Sequence, residues 1–118
     1  MSPQSDDSPI RNVRWQDKTA IVDVQGDIDL RSSPALQEKL GKVLDDEPDR
    51  VVVNLADVPY MDSSGVASLV KVLSRVKKQS VPLVLVEMTD RVRSIFEITH
   101  LDTVFDIRKS EQEALDEA

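Results

Sequence analysis

The sequence predicts an α/β domain built on a mixed, mainly parallel β-sheet of four to five strands with about four helices. Three observations carry that expectation. After an opening hairpin, strand-like segments alternate with segments of helical period, in the order β-β-α-β-α-β-α-β-α. Two strand segments, Val51-Val52-Val53-Asn54-Leu55 and Pro82 to Val86, are nearly continuous apolar runs, as suits strands buried on both faces. The length, 118 residues, fits one domain with one core.

Residues 1–9 are polar and hold two prolines, which predicts a flexible tail ahead of a domain over 10–118. Ile10 to Gln16 alternates, with Val13 and Trp15 on one face, as a half-exposed strand does. Asp17-Lys18 is a turn, Thr19 to Val24 a second strand, and Gly26 its end. Ser32-Ser33-Pro34 reads as a serine cap with proline in the first helical turn, and Leu36, Leu40, Val43 and Leu44 follow at helical spacing. Asp45 to Asp49, with Pro48, stops that helix before the Val51 to Leu55 strand. The next helix opens near Ser63 or Ser64 and carries the stripe Val66, Leu69, Val70, Leu73 and Val76. Thr89 to Thr99 reads as a short helix with Val92, Ile95 and Phe96 inward, and Thr103 to Ile107 as a last, edge strand. Ser110 and Glu113 form a capping-box pattern opening a terminal helix, acidic enough to fray at its end.

Composition removes several function classes. Net charge is −7, from 15 basic and 22 acidic residues, which disfavours nucleic acid and anionic membrane as direct partners. The basic cluster from Lys71 to Lys78 reads as a solvated helix face. Without cysteine there is no disulfide, thiolate nucleophile or Cys-based zinc site. No apolar run nears the ~18 residues of a membrane span. The opening residues lack a secretory signal pattern, so a cytoplasmic location is expected.

In open α/β sheets, sites gather outside the carboxyl ends of the strands. Two such segments are polar here: Gly26-Asp27-Ile28-Asp29, and Tyr60-Met61-Asp62-Ser63-Ser64-Gly65, which opens a helix. They are expected side by side. The enzyme readings are weak: His100 is the one histidine and lies in a loop away from both segments, so a Ser-His-Asp triad with Ser63 is not expected. With three glycines there is no Gly-rich phosphate loop, and Asp27, Asp29 and Asp62 lack a defined metal-ligand spacing. No catalytic residue, metal or cofactor is therefore expected. Spacing alone also leaves the serine turn a purely structural reading, with Asp62 or Ser63 as a helix cap and Gly65 as a close-packing residue.

The wider pattern favours function. "VVVNLADVPYMDSSGVASLVKVL", with "IVDVQGDIDLRSSPALQEKL" upstream and "VPLVLVEMTDRVRSIFEITHLDTVFDIRKSEQEAL" downstream, resembles the bacterial anti-sigma factor antagonists, the STAS-domain proteins of partner-switching systems. The resemblance spans about residues 10 to 115. It implies an antagonist that binds an anti-sigma serine kinase when unmodified, frees a sigma factor, and is switched off when the kinase phosphorylates the serine after the aspartate. Here that serine is Ser63. A metal-dependent serine phosphatase reverses the step. The resemblance implies a partner-binding set of Asp27, Asp29, Asp62, Ser63, Ser64 and Gly65. Relatives also serve as non-switching subunits of lipid-transport or stress-sensing complexes, the alternative function. A third reading is a small-molecule or nucleotide-binding regulator that uses the two loops as a pocket. A phosphate at Ser63 is expected to find free backbone N–H groups and the helix dipole beside it, opposed by Asp62 and Asp29.

Overall fold

Helices that return the chain between successive strands make those strands enter the sheet in the same direction. In the computed structural model, which describes residues 8–116, β1 (Ile10–Gln16) and β2 (Thr19–Gln25) form an antiparallel hairpin. Then β3 (Arg50–Asp57), β4 (Leu83–Val86) and β5 (Asp106–Arg108) add parallel to β2. The strands lie across the sheet in chain order, with β3 at its centre. Right-handed crossovers that all step the same way put their helices on one face. Accordingly α1 (Ser33–Asp45), α2 (Ser63–Gln79) and α3 (Asp90–Ile98) contribute to one core. The short α4 (Glu111–Asp116) follows the last strand and packs on the opposite face.

The main core joins Leu36, Leu40 and Leu44 of α1, Leu69 and Val76 of α2 and Phe96 of α3 to Val22, Val53 and Leu85 of the sheet. The Phe96–Phe105 pair anchors the β5 end, edge to face with centroids 5.5 Å apart, with Val92, Leu101 and Ile107 in the same cluster. Among the described residues, the second face buries Ile21, Val52, Val84 and Val86 under Ala114.

Several boundaries differ from expectation, each for a local reason. Leu101–Thr103 forms a 3₁₀ turn and Phe105 turns inward, so only Asp106–Arg108 pairs with β4 instead of Thr103 to Ile107. On α2, Val70 is exposed and Val72 is buried, because Val70 lies about a third of a turn from the stripe centred on Leu69 and Val76. Ser32 does not cap α1 with its side chain; its hydroxyl is held within the preceding loop. Of the expected tail, residues 1–7 lie outside the described residues. Ser8 and Pro9 are tied to β2: the Gln25 N–H donates to the Pro9 carbonyl at 2.8 Å, and the Gln25 side-chain amide to the Ser8 carbonyl at 3.1 Å. The terminal helix, expected to fray in its last turn, is helical through Asp116, and residues 117–118 also lie outside those described.

The terminal helix is held by charge as much as by apolar contact. Arg14 on β1 donates to both carboxylate oxygens of Glu111, at 2.6 and 3.0 Å, and the Asn54 amide donates to the same group at 2.9 Å. The Glu111 N–H in turn donates to the Glu87 carboxylate, and Arg50 donates to the Ala114 carbonyl. The Arg14 guanidinium, with help from Asn54, lowers the Glu111 carboxyl below its ordinary value against a partial opposing effect of burial. Hydrogen bonds from Arg14 to Asp23, then to Glu111, hold the guanidinium firmly protonated.

The sign of the pH dependence follows. A carboxyl lowered in the fold adds stability that is present above its unfolded value, 4.5, and is lost as pH falls through the lowered folded value. Acidification below that range is expected to loosen α4 first, seen as faster hydrogen exchange at the Ala114 amide. Glu111→Gln is expected to flatten this part of the acid response. Equal acid dependence in both proteins would show that Glu111 does not hold the helix.

Candidate functional site

The three loops at the carboxyl edge of the sheet are laced together by backbone bonds. The Ile28 N–H donates to the Tyr60 carbonyl at 3.0 Å, and the Asp62 N–H donates to the Ile28 carbonyl at 3.0 Å, making an isolated parallel bridge between Ile28 and Met61. This puts the Asp27–Asp29 loop beside the serine turn, as the sequence led us to expect. On the other side, the Thr89 hydroxyl that caps α3 reaches the Val58 carbonyl at 3.4 Å.

Asp62 sets the start of α2. Its backbone is extended (φ −102°, ψ −172°), and its Oδ1 accepts from the N–H groups of Ser64 at 2.8 Å and Gly65 at 3.3 Å. A carboxylate in this position satisfies two donors that the helix leaves free and meets the positive end of its dipole. Here the expectation of free N–H groups for a phosphate is corrected: Asp62 already holds two of them. A phosphate on Ser63 would instead stand next to a fixed carboxylate. Asp62→Ala is expected to cost about 1 kcal/mol of stability, read as a lower urea midpoint. Asp62→Asn, which keeps an acceptor oxygen, is expected to recover most of it.

Ser63, the first residue of α2, is exposed, whereas Ser64 is half-buried. Gly65 is buried where the two loops meet. A Cβ there would stand 2.6 Å from Met61 Cγ, 2.7 Å from Ile28 Cγ2 and 3.1 Å from the Ile28 carbonyl oxygen. Glycine is thus required by closeness of approach at this position.

Asp29 turns its carboxylate back on its own loop. Oδ1 accepts from the N–H groups of Arg31 at 2.9 Å and Ser32 at 3.2 Å, and the Ser32 hydroxyl links the Asp29 N–H to the Asp27 carbonyl. Those backbone donors, Arg31 first, lower the Asp29 carboxyl below its ordinary value. Asp29 therefore shapes the rim, and Asp27 stands exposed on it. Asp27, Asp29 and Asp62 do not converge; among the described residues no group of three His, Asp or Glu side chains could hold a metal ion. His100 sits at the far end of α3 from the turn, about 13 Å along a nine-residue helix.

The structure brings forward exposed residues that the sequence patterns left within a loop segment or on a buried stripe. Leu30 is 74% exposed on the first rim loop, and Tyr60 is 36% exposed on the second, with the Arg91 guanidinium 5.5 Å above its ring. Ala67 and Val70 are exposed on the same side of α2 as Ser63, four and seven residues along. The available signal was an apolar residue in a polar loop, at Leu30; Val70 gave none, since the helical pattern placed it on the buried stripe. Ser63 thus lies at one end of a shallow, partly apolar surface of the kind that protein partners cover.

Comparison with known proteins agrees with this fold. The family model described as the STAS domain matches residues 11–114. The chain is 37% identical over 96 residues to a Bacillus subtilis (strain 168) anti-sigma-B factor antagonist, covering 81% of this chain and 87% of that protein. Its fold superposes on an anti-sigma factor antagonist from Mycobacterium paratuberculosis with a TM-score of 0.82, at 28% identity over 89% of each chain. It shares the fold of the phosphorylated form of the Bacillus cell fate determinant SpoIIAA, with a TM-score of 0.69 at 18% identity, covering 90% of this chain and 96% of that one.

Proposed function

The chain belongs to the STAS-domain family, and from that membership we propose that it is an anti-sigma factor antagonist, a binding module without catalytic activity of its own that is switched by phosphorylation of Ser63. Unmodified, it docks on an anti-sigma factor serine kinase and a sigma factor is released. The kinase transfers phosphate from ATP to the Ser63 hydroxyl, the complex separates, and a serine phosphatase restores the hydroxyl. The protein works in the cytoplasm, requires no cofactor, and regulates transcription through its partner. Its charge of −7 argues against direct contact with DNA, and no helix among the described residues is long and apolar enough to cross a membrane.

The observation that carries this reading is the placement of Ser63. Its residue is exposed at the first position of a capped helix, on the same outward stripe as Ala67 and Val70. One partner surface can therefore cover both the acceptor and the apolar ground beside it. Asp62 fixes the helix start, Gly65 lets the two loops touch, and Asp27 and Asp29 form the neighbouring rim. That SpoIIAA exists in a phosphorylated form supports a covalent switch on this fold.

Incubation with ATP and an anti-sigma kinase from the source organism, followed by site-resolved mass spectrometry, tests the assignment. Phosphate is expected on Ser63. Phosphate on Ser64 or elsewhere would overturn the site, and stable binding without any phosphorylation would favour a non-switching subunit.

A further inference from the structure

The sheet has a free edge whose surroundings are selective. Among the described residues β1 pairs with β2 alone. The Ser8 hydroxyl accepts from the Ile10 N–H and donates to the Ile10 carbonyl, and beyond Ile10 the outer backbone edge of the strand is open, whereas the other edge strand, β5, has only three residues. An irregularity between Ile10 and Asn12 leaves Asn12–Gln16 as its regular stretch. Along that stretch runs a groove of about 290 Å³ between β1 and α1. Its β1 side is Ile10, Val13 and Trp15; its α1 side is Val43 flanked by Lys39 and Lys42, and Asp46 follows the end of α1.

Three features distinguish this groove from ordinary surface. Trp15, the sequence's one tryptophan, is 45% exposed there, and its indole N–H has no hydrogen-bond partner among the described residues. Lys39 and Lys42 form no ion pair among the described residues, although the chain carries net charge −7. Long apolar strand edges normally invite nonspecific pairing and are blunted by charge. Here the far bank carries Lys39 and Lys42, with Asp46 the single acid among the lining residues.

We propose that β1 and this groove take up an extended acidic segment of a partner protein, laid beside β1 as a sixth strand. Backbone bonds to the open edge supply affinity, as in other strand-addition complexes. On the groove side of such a strand, alternate side chains are spaced about 6.6 Å apart, close to the ~5–6 Å between helix positions three apart such as Lys39 and Lys42. One apolar side chain can cover Trp15 and Val13 while the next two carboxylates meet the lysines. This site is built from β1 and α1, apart from the serine turn at the start of α2, and does not depend on the switch proposed above.

The test uses Trp15 as its own reporter. The probe is a capped hexapeptide, Val-Thr-Glu-Thr-Glu-Thr, and the control replaces both Glu by Lys. The acidic peptide is expected to give a saturable shift in Trp15 emission, with amide NMR shifts confined to β1 and the facing side of α1. The control is expected to bind at least about tenfold more weakly, and the double substitution Lys39→Glu with Lys42→Glu to reverse the preference. Both lysines are exposed, so the variant should fold, which far-UV circular dichroism checks. Ser63→Asp is expected to leave peptide binding unchanged. Equal response to both peptides would reduce the groove to an apolar patch and overturn the proposal. So would the absence of saturable binding, or emission that changes with protein concentration alone, which would assign the edge to a second copy.

Discussion

Phosphorylation of Ser63 is expected to lower affinity for the anti-sigma kinase about a hundredfold while leaving the fold in place. The phosphate adds roughly −1.5 to −2 charge. It would do so beside the Asp62 carboxylate, which already occupies the N–H groups of Ser64 and Gly65. A partner closing over Ser63 must then desolvate a charge beside that carboxylate, at a helix start with two of its N–H groups already taken. A penalty of about 3 kcal/mol suffices, since each ~1.4 kcal/mol is tenfold in affinity. Ser63→Ala is expected to stay folded and bind the kinase without being switched off. Ser63→Asp is expected to fall between the two, because a carboxylate carries less charge and fewer acceptors. Calorimetric titration against the kinase reads all three. Loss of binding in folded Ser63→Ala would sink the mechanism. Amide spectra of the two forms should differ at Asp27 to Asp29 and Tyr60 to Gly65. Comparable shifts through Leu83–Val86 and α4 would mean that global rearrangement carries the signal.

Gly65→Ala is expected to destabilise the fold by about 1–3 kcal/mol, the range for overpacking a tight site. One methyl group would meet Met61 and Ile28 side chains and the Ile28 carbonyl at once. The side chains can give a few tenths of an ångström, but the carbonyl belongs to the bridge that joins the two loops. The change should therefore open the Ile28–Met61 contact and alter the surface around Ser63. A lower urea midpoint, with amide shifts centred on Ile28 and Met61, is the expected result. Ala67→Ser, an exposed change four residues along the same helix, is the control and should leave the midpoint nearly unmoved. Equal stability of Gly65→Ala and the parent would show that the loops can part without cost.

What was legible in the sequence was whatever depends on local pattern. Alternation and apolar runs gave the strand and helix order, and the Asp62-Ser63-Ser64-Gly65 spacing marked a capped helix start. The Ser110 hydroxyl does accept from the Glu113 N–H at 3.1 Å, as its capping pattern implied. Even the pairing of the two polar loops followed from their place at strand ends. Where sequence reasoning missed, the deciding contact was distant or rotational. The burial of Val72 in place of Val70 depends on the rotation at which α2 meets the sheet. The shortening of the last strand depends on Phe105 finding Phe96.

The sequence by itself determined the α/β class, the family resemblance and the candidate serine, because period, capping chemistry and motif spacing are written along the chain. Tertiary structure alone decided that Arg91 stands over the Tyr60 ring beside the turn and that Arg14 divides its guanidinium between Asp23 and Glu111. Each is a choice among several partners within reach of a short polar or long flexible side chain. Such choices are made only when strand order and helix rotation fix which partner is nearest.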